Sequence, residues 1–341
     1  MHGAGGHAFR QTGVPSNALR ALGCLLGLLA LSACATGPHS CDISRIGPLP
    51  VLNESGSPLI RIMLNGKPAV MLVDTGAENS LVTPAAVKEF GLEATSATVR
   101  MKGVGGFVQT PVITADTLEL EGAVASNVIF VEADLPPVMM AGMPLAGLFG
   151  ADFLSGYDVL FDLPAREITL FRLKGCSAGS LGWKEPFERI PFAENYPVRV
   201  TLPAKLNGKA IDLMLDSGSN RTTVLVEQAR EAGVRRSMLA QDENLGSTGV
   251  DGVHLDAWRH RFASLQIGAD VYLNDELIVA PLETSYALLG ADFLWRRPVW
   301  VSYRDQTVLL FQENGSPQAV VAGSAISAAS PAHHAVRSAA Q

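Results

Sequence analysis

The chain has 341 residues, 48% of them hydrophobic and 17% charged, a size and composition that suit two domains with real cores and exclude a disordered polypeptide. The net charge of −7 excludes nucleic acid as the main partner, because phosphate binding needs clustered basic charge. With 33 Gly, 20 Pro and few aromatics, the chain is turn-rich, which excludes a long helical bundle.

At the N-terminus, Arg10 and Arg20 precede an apolar run, Ala21 to Ala33, with no acidic residue before it. The run has 13 residues, too few to span a bilayer, and reads as an export signal over residues 1–33. It ends in Leu31-Ser32-Ala33-Cys34, which resembles a bacterial lipobox. The resemblance implies a diacylglycerol on Cys34 and a periplasm-facing protein anchored to an envelope membrane. Ala35, in place of Asp, favours the outer membrane. The alternative is ordinary cleavage near the same point and release of a soluble periplasmic protein. Cys24 leaves with the signal, so Cys41 and Cys176 remain in an oxidising compartment, either as one disulfide or as two separate thiols. No CxxC occurs to support a zinc ribbon or a redox motif.

Further along, a long-period duplication organises the chain. NGKPAVMLVDTGAENSLV surrounds Asp74, and NGKAIDLMLDSGSNRTTV surrounds Asp216. Asn65 and Asn207 each lie nine residues before their Asp, and Gly91 and Gly233 each lie 17 after it. Those glycines close short helical stretches, PAAVKEF and VEQAREA, as C-terminal caps. LFGADFL (148–154) and LLGADFL (288–294) follow, each continuing into an alternating strand pair. Runs such as PLIRIML and YPVRVTL, rich in Val, Ile and Leu and bounded by Gly, Pro or Asn, predict strands between these landmarks. The reading is a mainly β, bilobed chain: an N-terminal linker at 34–56, a first lobe at 57–172, an inter-lobe linker at 173–195, a second lobe at 196–313, and a disordered tail at 314–341. Each lobe carries two short helices.

The repeated element carries chemistry. An apolar strand ending in Asp-Thr/Ser-Gly delivers a carboxylate to a core face, and Gly lets the backbone turn tightly beside another segment. A lone D-[ST]-G is an ordinary turn sequence. Here each copy follows an apolar run and has an apolar-apolar-Gly partner about 75 residues later, an offset set by Gly150 and Gly290.

This pairing resembles the pepsin/retropepsin superfamily of aspartic proteases, in the style of its bacterial retropepsin-like branch, over about residues 57–312. The resemblance implies an acid-protease fold of two homologous β-barrel-like lobes, with both catalytic carboxylates supplied by one chain. A monomer then suffices for the site, and neither metal nor cofactor is needed. Asp74 and Asp216 become the catalytic dyad. Thr75 and Ser217 bond across to the opposite loop, while Gly76 and Gly218 allow the close approach. Gly150 and Gly290 let each Asp loop pass over a neighbouring strand. Two carboxylates sharing one site hold a single proton between them. The ionised member takes a proton from water as it attacks a peptide carbonyl, and the protonated member bonds the forming oxyanion. The implied function is an aspartic endopeptidase acting on polypeptide in extended conformation. The alternative is a binding module on the same fold that does not hydrolyse its ligand.

Candidate flaps are Gly103-Val104-Gly105-Gly106 and Gly249-Val250-Asp251-Gly252, and neither carries the Tyr of the pepsin flap. Ala77 follows the first DTG, whereas Ser219 follows the second DSG. A hydroxyl there donates to the carboxylate and Ala cannot, which implies a weakly acidic to neutral optimum. Asp152 and Asp292 repeat as well and read as helix N-caps. Gly175-Cys-Ser177-Ala-Gly179 matches G-x-S-x-G by chance, since no helix pattern follows it. His254 and His260 read as surface residues rather than metal ligands, and Arg61 and Arg199 as sheet-surface charges.

Overall fold

The computed structural model describes residues 41–103, 106–192, 199–248, 254–313, 315 and 327–328. The signal, Cys34 and most of the tail lie outside the described residues. The chain is mainly β with a few short helices, arranged in two homologous halves around a shared sheet.

Each half is built on a hairpin. Leu59–Leu64 and Lys67–Val73 pair antiparallel across Asn65-Gly66, and Thr201–Leu206 and Lys209–Leu215 pair across Asn207-Gly208. Both turns place two consecutive residues at positive φ, 46° and 74° in the first and 48° and 79° in the second. That is the backbone twist a two-residue hairpin needs and the reason Asn-Gly stands there. The returning strand then runs parallel to the strand that contains the later motif, with Val73 opposite Phe149 and Leu215 opposite Leu289. The spacing of about 75 residues in the sequence is therefore the length of the excursion between two neighbouring parallel strands.

Helix Pro84–Phe90 begins at Thr83, whose hydroxyl accepts from the Ala86 amide at 3.1 Å, and ends at Gly91 in the left-handed region. Its counterpart Val226–Glu231 ends one residue earlier, at Ala232, leaving Gly233 just beyond the cap at φ 94°. The second half has three short helices rather than the expected two, because Arg236–Leu239 is added.

A seven-stranded sheet joins the halves. The first half contributes Asp158–Asp162 and Glu167–Lys174, the second Val299–Ser302 and Thr307–Phe311, and the two hairpins meet with Leu160 opposite Trp300. Alternation sorts its side chains. Val159, Phe161, Val299, Val301, Val308 and Leu310 enter the large core shared by both halves. Leu160, Trp300, Leu309 and Phe311 point the other way into a second, aromatic cluster, where Trp300 lies 5.0 Å from Phe171 and 5.2 Å from Trp183.

Both expected linkers prove to be structural. Asp42–Pro50, within 34–56, pairs antiparallel with Glu167–Lys174, and Phe187–Pro191, within 173–195, pairs with Thr307–Phe311. Between them, the turn Ala178–Leu181 and Trp183 cover the aromatic face of the sheet. These segments are short and lack landmarks, and only the sheet they complete gives them strand conformation. A disulfide joins Cys41 to Cys176, with Cα atoms 5.2 Å apart, and pins the first of these strands to its neighbour. The tail is not wholly irregular: Ser327–Ala328 pairs parallel with Ser44 and Arg45. Among the described residues no helix is long and apolar enough to cross a membrane.

The joining sheet also buries charge. Asp158 is 4% exposed, bonded to Ser302 with Arg304 3.8 Å away, and burial pushes its carboxyl up to about 6. Asp162 is pushed up to about 6 for the same reason. Both native values lie above the ordinary 3.8, so the folded chain holds protons that the unfolded chain releases, and stability falls as pH rises from about 4 through 6. Asp158→Asn keeps the neutral shape without the charge. Urea unfolding of this variant is expected to show a gain of about 2 kcal/mol at pH 7.5 and a flatter pH dependence. An unchanged slope between pH 4 and 7 would overturn this account of the sheet.

Candidate active site

The two Asp loops meet where the halves meet. Each Asp follows its apolar strand and is held by the neighbouring parallel strand: the Asp74 amide donates to the Phe149 carbonyl, and the Asp216 amide to the Leu289 carbonyl, both at 2.9 Å. The hydroxyls that follow lock the loops together. The Thr75 hydroxyl donates to the Leu215 carbonyl at 2.7 Å and accepts from the Ser217 amide at 3.0 Å. The Ser217 hydroxyl donates to the Val73 carbonyl at 2.7 Å and accepts from the Thr75 amide at 3.0 Å. Both side chains are 0% exposed, so no water competes for these four bonds.

Gly76 and Gly218 sit against the opposite carboxylates. A Cβ on Gly76 would stand 2.5 Å from the Asp216 carboxyl carbon, and one on Gly218 would collide with the Asp74 carboxylate. Gly150 and Gly290 have the same constraint against backbone, since a Cβ would come within about 2.6 Å of Asn79 and still closer to Arg221. Strand Met143–Phe149 also needs Gly147, where a Cβ would overlap the Leu81 carbonyl. No sequence signal marks this glycine, because Ala287 takes the equivalent register in the second half.

Each carboxylate accepts two amides from its own loop. Asp74 Oδ1 takes Gly76 at 2.9 Å and Ala77 at 3.1 Å; Asp216 Oδ1 takes Gly218 and Ser219, both at 3.0 Å. The carboxyls are also in hydrogen-bond contact with one another. Burial raises Asp74 above the usual carboxylate range, against the pull of the Gly76 and Ala77 amides. Asp216 is raised as well, first by burial and then by the negative charge of Asp74. A nearby phenol adds to the local electrostatics: Tyr303 is buried with no partner for its hydroxyl among the described residues, and burial together with the Asp74 charge raises its pKa and keeps it neutral. The first half has Leu163 at the matching turn.

Several expectations change. The Ser219 hydroxyl donates to the Arg221 carbonyl at 2.9 Å rather than to Asp216, so the Ala77/Ser219 difference does not separate the two acids. Asp152 and Asp292 lie inside their short helices, which Gly150 and Gly290 cap. Their carboxylates instead accept from the hydroxyls of Ser80 and Thr222, which in turn accept the Gly150 and Gly290 amides at 3.0 and 3.1 Å. These two acids fasten the glycine turns from behind. His260 is buried, not on the surface, and bonds Asp242 at 2.6 Å. Among the described residues no cluster of three or more metal-ligating side chains exists. Gly103 pairs with Gly106 at the end of hairpin Glu93–Gly103 and Gly106–Leu120, whose tip residues Val104 and Gly105 lie outside the described residues. Gly249, Val250, Asp251 and Gly252 lie outside them too, beyond the short pair Ser247–Thr248 and His254–Leu255.

The sequence reading missed the outer clasps. Across the seam the Ser57 hydroxyl donates to the Gly218 carbonyl at 2.7 Å and the Ser57 amide donates to Asn220 Oδ1 at 2.9 Å. At the matching place in the other half, Arg199 forms an ion pair with Glu78. Backbone register equates Ser57 with Arg199, since the next residues, Pro58 and Val200, accept from Val73 and Leu215. Arg61 lies opposite Val70 in its own hairpin. Polar residues of unlike type at equivalent positions left no repeat to notice.

Thr75→Val removes one hydroxyl and strands a buried carbonyl and a buried amide. A loss of about 2–4 kcal/mol in urea unfolding is expected, with a similar loss for Ser217→Ala. The double variant is expected to cost less than the sum of the two, because both hydroxyls serve one junction. Strict additivity would show that the two do not act as a unit.

Comparison with known families agrees with this geometry. Residues 60–153 match the aspartyl protease family model, and residues 202–296 match the model of the gag-polyprotein putative aspartyl proteases. No curated protein matches the chain. The chain thus carries two aspartyl protease family domains in tandem, the first containing Asp74 and the second Asp216.

Proposed function

We propose that the protein is an aspartic endopeptidase that hydrolyses extended polypeptide through a water activated by Asp74 and Asp216. The observation that carries this reading is the contact between two partly buried carboxyls, each bonded to two amides of its own loop, whose loops are joined through buried hydroxyls. Like charges so placed do not both ionise, and the pair holds one proton over a range of pH. One carboxyl of the pair keeps the proton and donates to the forming oxyanion, while the ionised one takes the proton of the attacking water. That proton then passes to the departing amine nitrogen, the C–N bond breaks, and the dyad returns to its singly protonated state. Substrate in extended conformation suits a groove between two β lobes, where main-chain bonds fix register and alternate side chains enter pockets. For location, the run Ala21 to Ala33 and Cys34 support an exported protein, lipid-anchored and facing the periplasm.

With the full chain and a mixed peptide library, pepstatin-sensitive cleavage is expected, and Asp74→Asn or Asp216→Asn is expected to lower kcat by at least about 10³-fold. Activity that survives both substitutions would refute the dyad. Absence of cleavage by the unaltered chain at any pH would favour the binding-module reading.

The pH profile follows from the same electrostatics. Activity rises as the pair loses its first proton and falls as it loses the second, and both carboxyls are raised by burial. A bell-shaped profile with a weakly acidic to neutral optimum is therefore expected. A maximum in strong acid would contradict it.

A further inference from the structure

We propose that a groove in the second half, separate from the dyad, binds an extended, basic polypeptide segment by strand addition. A cavity of about 610 Å³ lies between strand Phe187–Pro191 and strand Asp270–Leu273, and none of its lining residues belongs to the Asp loops. Each of these strands ends its sheet: the first closes one side of the seven-stranded sheet, the second one side of the nine-stranded sheet of the second half. Two strand edges that lack an outer partner among the described residues thus wall one groove, and free edges are the backbone template for an added strand.

The fold already uses the symmetry-related edge in this way. Asp42–Pro50 holds in the first half the place that Phe187–Pro191 holds in the second, each pairing antiparallel with the outer strand of a central hairpin. Ser327–Ala328 adds a parallel strand to Asp42–Pro50, whereas Phe187–Pro191 has no such addition among the described residues.

The chemistry of the walls selects the occupant. Arg297 is 6% exposed and paired with Asp270 and Glu313, yet its Nε has no partner among the described residues. The Tyr272 hydroxyl, on the same strand as Asp270, likewise has no partner among the described residues. Glu188, Asp270 and Glu313 outnumber that single cation, so the groove carries net negative charge and favours Lys or Arg. Val271 lines the groove at 52% exposed and presents apolar surface to an added strand, and Leu273, 69% exposed and outside the cavity lining, continues that face of the strand.

The test uses the full chain bearing Asp216→Asn, so that bound peptide is not cut, and short fluorescent peptides alternating Lys with Val or Glu with Val. The Lys peptide is expected to bind about tenfold more tightly than the Glu peptide by anisotropy. Glu188→Gln and Glu313→Gln should each weaken it by about two- to fivefold, and the side-chain carbonyl that the first substitution leaves at this position still accepts from the Ala269 amide. Hydrogen exchange should slow at Asp270–Leu273 on binding. Equal affinity for both peptides, indifference to both substitutions, or displacement by pepstatin with protection confined to the Asp loops would each overturn the proposal.

Discussion

The reciprocal clasp of Thr75 and Ser217 is the constraint on which the rest depends. Four hydrogen bonds cross a fully buried junction, and each hydroxyl satisfies a backbone carbonyl and a backbone amide of the opposite loop. These bonds hold the two halves in register at the point where Asp74 and Asp216 emerge. The glycines follow from this closeness. Once the loops are clasped, Gly76 and Gly218 have no room for a side chain against the opposite carboxylate. The raised pKa values follow as well, because the same clasp buries both carboxyls and sets two like charges together.

Around this junction the duplication has diverged. The inner clasp is nearly symmetric, but the outer one is a neutral Ser57–Asn220 contact on one side and an Arg199–Glu78 ion pair on the other. Tyr303 stands where the first half has Leu163, which gives Asp74 a polar neighbour without a counterpart. A single chain can differentiate its halves in this way, whereas two copies of one lobe could not.

The seven-stranded sheet converts two half-sites into one body. It buries apolar residues on both faces, is stapled at one side by Cys41–Cys176, and carries Asp158 inside. Its two outer positions illustrate how the halves were fitted: one is extended by Ser327–Ala328, the other opens on a groove.

The sequence by itself determined the duplication, the Asp-Thr/Ser-Gly loops and their later glycine partners, because those residues answer to local rules. A tight turn needs Gly, an Asn-Gly hairpin needs positive φ, and a buried strand needs an apolar run, wherever each is placed. Asp42–Pro50 and Phe187–Pro191 have no such local mark, since what makes them strands is the sheet edge they meet. For the same reason the Ser219 hydroxyl turned to Arg221, Asp152 and Asp292 fasten the glycine turns instead of capping helices, and Arg199 found Glu78. A side chain's partner across the chain is set by which backbones come within hydrogen-bond reach after folding. That proximity, unlike propensity, is a property of the tertiary structure alone.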